Sequence, residues 1–244
     1  MLDHRLTDAS PAVIRRIIDG AALFRDMAES VRASCASAAT ARRYRNGEYL
    51  WRAGESGDSL QVVGGGLVHI GVASPDGEQI LLHVVARGEC IGEPSIYAPE
   101  GDRQTDARAV GETTVVFIPG RTVRPVLEAN PAAMRVFVRR VSEMCRAHAR
   151  RVAASAFHDA RGRLARVLLD FASSHGSATP RGHRIELRLS QRTLAGLVSA
   201  RRESVNRIIR ELESAGALHF EEGIITIREP QVLRASLGAD GLIP

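Results

Sequence analysis

Lysine is absent: all 33 basic side chains are arginine. Usage this one-sided reads as a compositional habit of the genome, not as a function. Aromatic residues make up 4% of the 244 positions, and there is one tryptophan. The three cysteines, Cys35, Cys90 and Cys145, stand far apart with no C-x-x-C spacing. That excludes the paired thiolates of a zinc or iron–sulfur site. It leaves a reduced, cytoplasmic protein as the simplest expectation. No apolar run approaches the roughly 20 residues a membrane span needs. The first twenty residues lack the apolar core of a signal peptide. A nucleophile elbow, a Walker-type phosphate loop and paired metal ligands are also missing, so no enzyme is expected.

Charge is present but unevenly placed. Residues 1–130 hold 14 Arg and 17 acids, whereas residues 131–244 hold 19 Arg and 11 acids. The net charge of the second half, +8, is what phosphate binding requires.

The most pointed pattern lies in that basic half, at residues 189–218. Ser190 is a good N-cap. Leu194, Leu197 and Val198 follow at i, i+3 and i+4, one apolar helix face. Ser199, Ala200 and Arg201 leave room for a turn. A second helix buries Val205, Ile208, Ile209 and Leu212 and exposes Arg202, Glu203, Asn206, Arg207 and Arg210. Two helices this close must pack across each other, and the second presents its N-terminal half as a recognition helix does. Arginine pairs bidentately with guanine O6 and N7, and a carboxylate accepts from cytosine N4. Glu203 and Arg207, four residues apart, can pair and hold the arginine in one pose. Ser190, Gln191 and Arg201 complete the expected DNA-contacting set. The plainer reading, solvated charges with one i, i+4 bridge, is outweighed by the preceding helix and turn. After Leu218 the chain alternates and turns at Gly223, as a wing hairpin would, and His219 is placed to touch a phosphate.

From Ala41 to about Pro119 the pattern is short apolar runs between glycines, which indicates an antiparallel barrel or sandwich. The runs are Tyr49-Leu50-Trp51, Leu60-Gln61-Val62-Val63, Leu67 to Val72, Ile80 to Val85, and Thr113 to Ile118. Ser74-Pro75-Asp76-Gly77 is a turn signal. Gly92-Glu93 followed by Arg103 stands out: glycine admits a close ligand, a carboxylate accepts from a sugar hydroxyl, and arginine forks onto phosphate. Taken alone, these residue types are common.

Asn130-Pro131 starts the next helix, expected over residues 132–156. Met134, Val138, Val141, Cys145, His148, Val152 and Ser155 recur at four and three, a heptad-like seam. Such a seam pairs with another helix or packs on its own barrel. His148 can hydrogen-bond or stack on a purine, or be an interface histidine without a ligand. Cys145 is a redox candidate or a small seam residue. A further helix is expected over residues 161–172, a flexible loop over 173–182, and a short strand at Ile185-Glu186-Leu187.

Arg201-Arg202-Glu203-Ser204-Val205-Asn206-Arg207 resembles the S-R-E-T-V-x-R recognition helix of the CRP/FNR regulators, with Arg201 where that family often has Ser. Residues 41–119 are similar to the β-roll of cyclic-nucleotide-binding domains, notably Asn46-Gly47-Glu48, Gly54-Glu55, Asp58 and Val63-Gly64-Gly65-Gly66. Gly92-Glu93 through Arg103 to Ala109 is similar to that family's phosphate-binding cassette. The resemblance implies that Arg202, Glu203 and Arg207 read TGTGA-like half-sites of palindromic double-stranded DNA. It also implies a homodimer, with RNA polymerase as a further partner and no membrane. In the cassette it implies Glu93 on a ribose hydroxyl and Arg103 on a cyclic phosphate, with cAMP as an allosteric ligand and no fixed cofactor. The expected ligand set is Gly92, Glu93, Arg103, Gln104, Thr105 and His148. Gln104 and Thr105 depart from the usual Ser or Thr followed by Ala, Pro94 from a small or aliphatic residue, and Asp106 adds a negative charge.

The expected fold is α+β: a β-roll sensor at 20–129, a dimerisation helix at 130–157 and a winged helix-turn-helix at 158–235. The expected function is a sequence-specific transcription regulator gated by a small ligand. Two other readings stand beside it. One is a ligand-independent or redox-responsive DNA-binding regulator with a degenerate pocket. The other is a cyclic-nucleotide-binding module acting on a partner protein.

Overall fold

The computed structural model describes residues 10–73, 79–98 and 102–237. The expected turn at Ser74 to Gly77 lies outside them. The chain divides into two compact units, Met1–Glu78 with Leu82–Cys145, and Gln79–Leu81 with Arg146–Pro244.

The first unit opens with three helices that sequence reading did not anticipate: α1 (Pro11–Gly20), α2 (Ala22–Arg25) and α3 (Glu29–Ser37). Ile14 and Ile18, one turn apart, bury the inner face of α1. Leu23, Phe24, Met27, Val31 and Cys35 continue that apolar surface. Strands β1 (Thr40–Tyr44), β2 (Tyr49–Trp51), β3 (Ser59–Ala73), β4 (Gln79–Val85) and β5 (Cys90–Ile91) follow. A short helix α4 (Glu93–Ile96), strand β6 (Asp106–Pro119) and helix α5 (Gly120–Glu128) complete the sequence up to α6 (Pro131–Phe157).

The sheet runs β1-β6-β3-β4, with β2 also on β6 and β5 on β3. The expected strands at Leu60 and Leu67 are one: β3 runs unbroken past Gly64-Gly65-Gly66, antiparallel to β6, with register shifts around those glycines. Gly66 has φ +78°, and a Cβ there would stand 2.4 Å from the Glu112 carbonyl oxygen. The glycines mark a bulge that bends one long strand, not a loop between two. Val62, Val116 and Ile118 face the helices and meet Val123 and Leu127 of α5 and Ala133 and Phe137 of α6. Val63, Val68, Val115 and Trp51 face the other side, as the two-residue period requires.

Helix α6 matches its expected span. Of its seam, Met134 and Val141 pack on the first unit's own core. Val138 and Val152 are 52% and 69% exposed, and Cys145 and His148 are exposed as well. Residues 138, 145 and 152 are each seven apart, so an apolar stripe remains uncovered along one side of the helix.

In the second unit α7 (Ala160–His175) is capped by Asp159, whose side chain accepts from the Gly162 amide. The expected loop at 173–182 is instead the end of α7 and a hairpin, β7 (Gly176–Thr179) with β8 (Gly182–Ile185). The strand expected at Ile185 therefore ends there, and Leu187 and Leu189 beyond it are buried. Helices α8 (Gln191–Leu197) and α9 (Arg202–Ser214), strands β9 (Leu218–Glu221) and β10 (Ile224–Ile227), and α10 (Pro230–Ala235) follow. The sheet order is β7-β8-β10-β9. Glu222 at φ +47° and Gly223 at φ +83° form the two-residue left-handed turn that hairpins favour. Among the described residues no helix is long and apolar enough to cross a membrane.

Candidate DNA-reading surface and ligand cassette

The first turn of α8 is pinned by Ser190, whose Oγ accepts from the Thr193 amide at 3.0 Å. The turn that follows passes through Ser199 at φ +47°, a left-handed conformation usually left to glycine. It lets α9 cross α8 with Val205, Ile208, Ile209 and Leu212 buried. Arg201, Arg202, Glu203, Arg207 and Arg210 are exposed, and Asn206 is half-buried. The α9 members of the expected set thus lie on the side of that helix opposite its buried face, and Arg163 holds the end of α8. Its Nε donates to the Val198 carbonyl at 2.8 Å and its Nη1 to the His158 carbonyl.

One pairing differs from expectation. Arg207 donates to Glu211 at 3.0 Å, one turn ahead, and not to Glu203. Glu203 is left out of that bridge. Glu211 also accepts from Arg161 at 2.8 Å. Gln191 and Asn206 join α8 to α9 by a side-chain hydrogen bond of 3.2 Å. His219 lies 3.4 Å from Glu213 and 3.6 Å from Glu221, so carboxylates surround the group expected beside phosphate.

In the first unit, Gly92 adopts φ +93° and leads into α4, whose first residue is Glu93. Glu93 is buried, and burial raises its pKa above the usual carboxylate range. Its side chain pairs with Arg140 of α6, with Nε 3.4 Å from Oε1. Arg103 is 4% exposed. Its Nη2 donates to the Ser59 carbonyl at 3.1 Å and to Ser59 Oγ at 3.2 Å, and its Nη1 to Ser95 Oγ at 3.2 Å. Its guanidinium lies 4.3 Å over the Trp51 ring, and the Trp51 indole donates to the Thr105 carbonyl at 2.7 Å. Gly57 is what makes room, since a Cβ there would overlap the Arg103 side chain. All of these hydrogen-bonding partners are neutral, and burial lowers the Arg103 pKa. The Asp58 and Glu93 carboxylates act on it only through space, so this buried cation, hydrogen-bonded to neutral oxygens, retains capacity for an anion.

The remaining expected ligand residues divide. Gln104 is exposed and Thr105 half-buried beside Arg103 in sequence. Asp106 is tied down by the backbone: its Oδ1 accepts from the Ala53 amide at 2.8 Å. His148 belongs to the second unit, where partial desolvation and the Arg151 guanidinium lower its pKa. Cys35 and Cys90 are buried and Cys145 is exposed. Burial pushes the Cys35 thiol up to about 11. Trp51, Ser59, Ser95 and Arg140 were not foreseen. They reach Arg103 and Glu93 from strands and helices whose pairing no local pattern reveals.

Two family models match the chain: a cyclic nucleotide-binding domain over residues 41–130 and a Crp-like helix-turn-helix domain over residues 162–236. A CRP-like cAMP-activated global transcriptional regulator of Mycobacterium tuberculosis is 28% identical over 190 residues, 78% of this chain and 84% of the relative. The anaerobic regulatory protein of Bacillus subtilis is 26% identical over 202 residues, 82% and 85% of the two chains. In fold, FixK2 from Bradyrhizobium japonicum is similar at a TM-score of 0.73, 20% identity and 82% and 98% coverage. A CooA mutant from Carboxydothermus hydrogenoformans gives 0.72, 19%, and 95% and 97%. Both sequence relatives are named as regulators. With both domains present, in this order, the chain belongs to the CRP/FNR family of DNA-binding transcription regulators.

Proposed function

We propose that the first unit gates DNA binding by taking a small phosphate-bearing ligand at Arg103 and Glu93, and that cAMP is its first candidate. The observation that carries this is Arg103 itself: a buried guanidinium whose hydrogen bonds to Ser59 and Ser95 go to neutral oxygens. The Mycobacterium tuberculosis relative named as cAMP-activated supports the choice of nucleotide. Two chains pair along the uncovered stripe of α6. A ligand that binds one arrangement of that pair better shifts the population toward it. The dimer then sets Arg202, Glu203 and Arg207 of both copies on TGTGA-like half-sites of a palindrome, in a protein that works in the cytoplasm with RNA polymerase as partner.

Calorimetric titration with cAMP, with cyclic GMP as comparator, tests the ligand. Saturable binding at one site per chain, lost in Arg103→Ala with the fold retained, is expected. Unchanged affinity in that variant removes the assignment. A second reading has its own observation: Trp51 covers the guanidinium at 4.3 Å while Ser59 and Ser95 hold its edge. A chain closed in this way would bind its operator without a nucleotide. Operator affinity that cAMP does not change would favour it.

A further inference from the structure

Beside Arg103 stands a second buried polar side chain with no role so far. Gln61 is 1% exposed in the middle of β3. One atom of its amide, Nε2 as placed, lies 2.6 Å from Ser59 Oγ, and the other, Oε1, has no partner. Three facts bear on which way this amide points. A separation of 2.6 Å suits an O–H···O bond as well as an N–H···O one. Ser59 Oγ already accepts from Arg103 Nη2 at 3.2 Å. Its own proton has a ready acceptor if the amide oxygen of Gln61 is the atom beside it. Amide orientation is settled by such networks. Turned over, the amide sets the oxygen of Gln61 on Ser59 and leaves its NH2 as the unpaired group.

That NH2 faces the same spot as Arg103. A Cβ built on Gly92 would stand 2.4 Å from this outer amide atom, 2.7 Å from Arg103 Nη1 and 2.7 Å from the Ser59 carbonyl. Glycine at φ +93° keeps the spot clear of a side chain. Two donors thus converge in a buried place, and they are linked: Arg103 donates to Ser59, Ser59 to Gln61, and Gln61 has a proton to give.

We infer that Gln61 is a ligand-contacting residue, its amide NH2 donating to an oxygen of the anionic phosphoryl group that Arg103 anchors. This rests on the reading of Arg103 given under Proposed function. The ligand class is a phosphate ester or free phosphate, since Arg103 and the turned Gln61 amide both donate there and the Ser59 carbonyl beside them already accepts from Arg103.

The test uses the full-length protein with cAMP and, separately, inorganic phosphate as probes. Trp51 is the one tryptophan of the chain and stacks on Arg103, so its emission reports the site. Gln61→Leu should bind either responding probe at least tenfold more weakly, with a melting temperature equal to or above that of the parent. A merely structural glutamine would lower the melting temperature and leave affinity unchanged. Gln61→Glu should abolish the response and raise the melting temperature, because it places a carboxylate opposite Arg103. Binding by Gln61→Leu within twofold of the parent overturns the inference, as does a parent that answers neither probe. Arg103→Ala separates the two levels. If it loses binding while Gln61→Leu does not, the anchor stands and only Gln61 falls; if it binds normally, the anchor itself is wrong.

Discussion

Single residues carry two kinds of information here, and backbone strain is one of them. Ser199 holds φ +47° at the turn between α8 and α9, a conformation that costs a non-glycine residue on the order of 1 kcal/mol or more. Ser199→Gly should therefore stabilise the second unit by roughly 1 kcal/mol in urea unfolding; a loss of stability would show that the serine side chain holds the turn. Titration is the other. His69 is largely buried beside Arg108, and burial first, then that charge, lower its pKa to about 4. The sign follows: folded His69 stays neutral while the unfolded chain takes up a proton near pH 6.5. This contribution is full above pH 6.5, and is lost progressively as pH falls from there to about 4, by at most about 1.4 kcal/mol per pH unit. Urea midpoints between pH 7 and 4.5 should fall more steeply in the parent than in His69→Gln. Equal slopes would place the acid sensitivity in other groups.

At the scale of elements, α6 is the test of the stripe left uncovered in one chain. Val138→Glu with Val152→Glu would put charges on residues that are 52% and 69% exposed, so folding within one chain should survive. Light scattering should show a shift from dimer to monomer; an unchanged dimer would place the interface elsewhere. This helix was legible in the sequence because 27 residues without a break keep one period. The helix-turn-helix was legible for the same reason, with Ser190 as a cap. What was missed has physical causes. The glycines at 64–66 read as a break because a bulge and a turn share that residue type. The stretch SSHGSATPRG read as a loop because the β7–β8 pairing draws on backbone bonds that polar residues make as well as apolar ones. At the cassette, Gly92, Glu93 and Arg103 could be named from local sequence. Trp51, Ser59, Gln61 and Arg140 could not, because only the folding of β2, β3 and α6 brings them to Arg103 and Glu93.

For the whole molecule, charge division agrees with the division of labour. The acidic first half holds the cassette and the basic second half holds α9. The central claim is that a two-fold pair of these chains reads DNA through Arg202, Glu203 and Arg207. The most direct measurement is selection of bound sequences from a random duplex library, on the parent and on Arg202→Ala. The account predicts a palindrome with half-sites centred about 10–10.5 base pairs apart, one helical turn. It predicts that Arg202→Ala weakens specific binding by about 1–3 kcal/mol and relaxes preference at one base pair per half-site. No enriched palindrome from the parent, or an equal loss on every sequence in the variant, would contradict it.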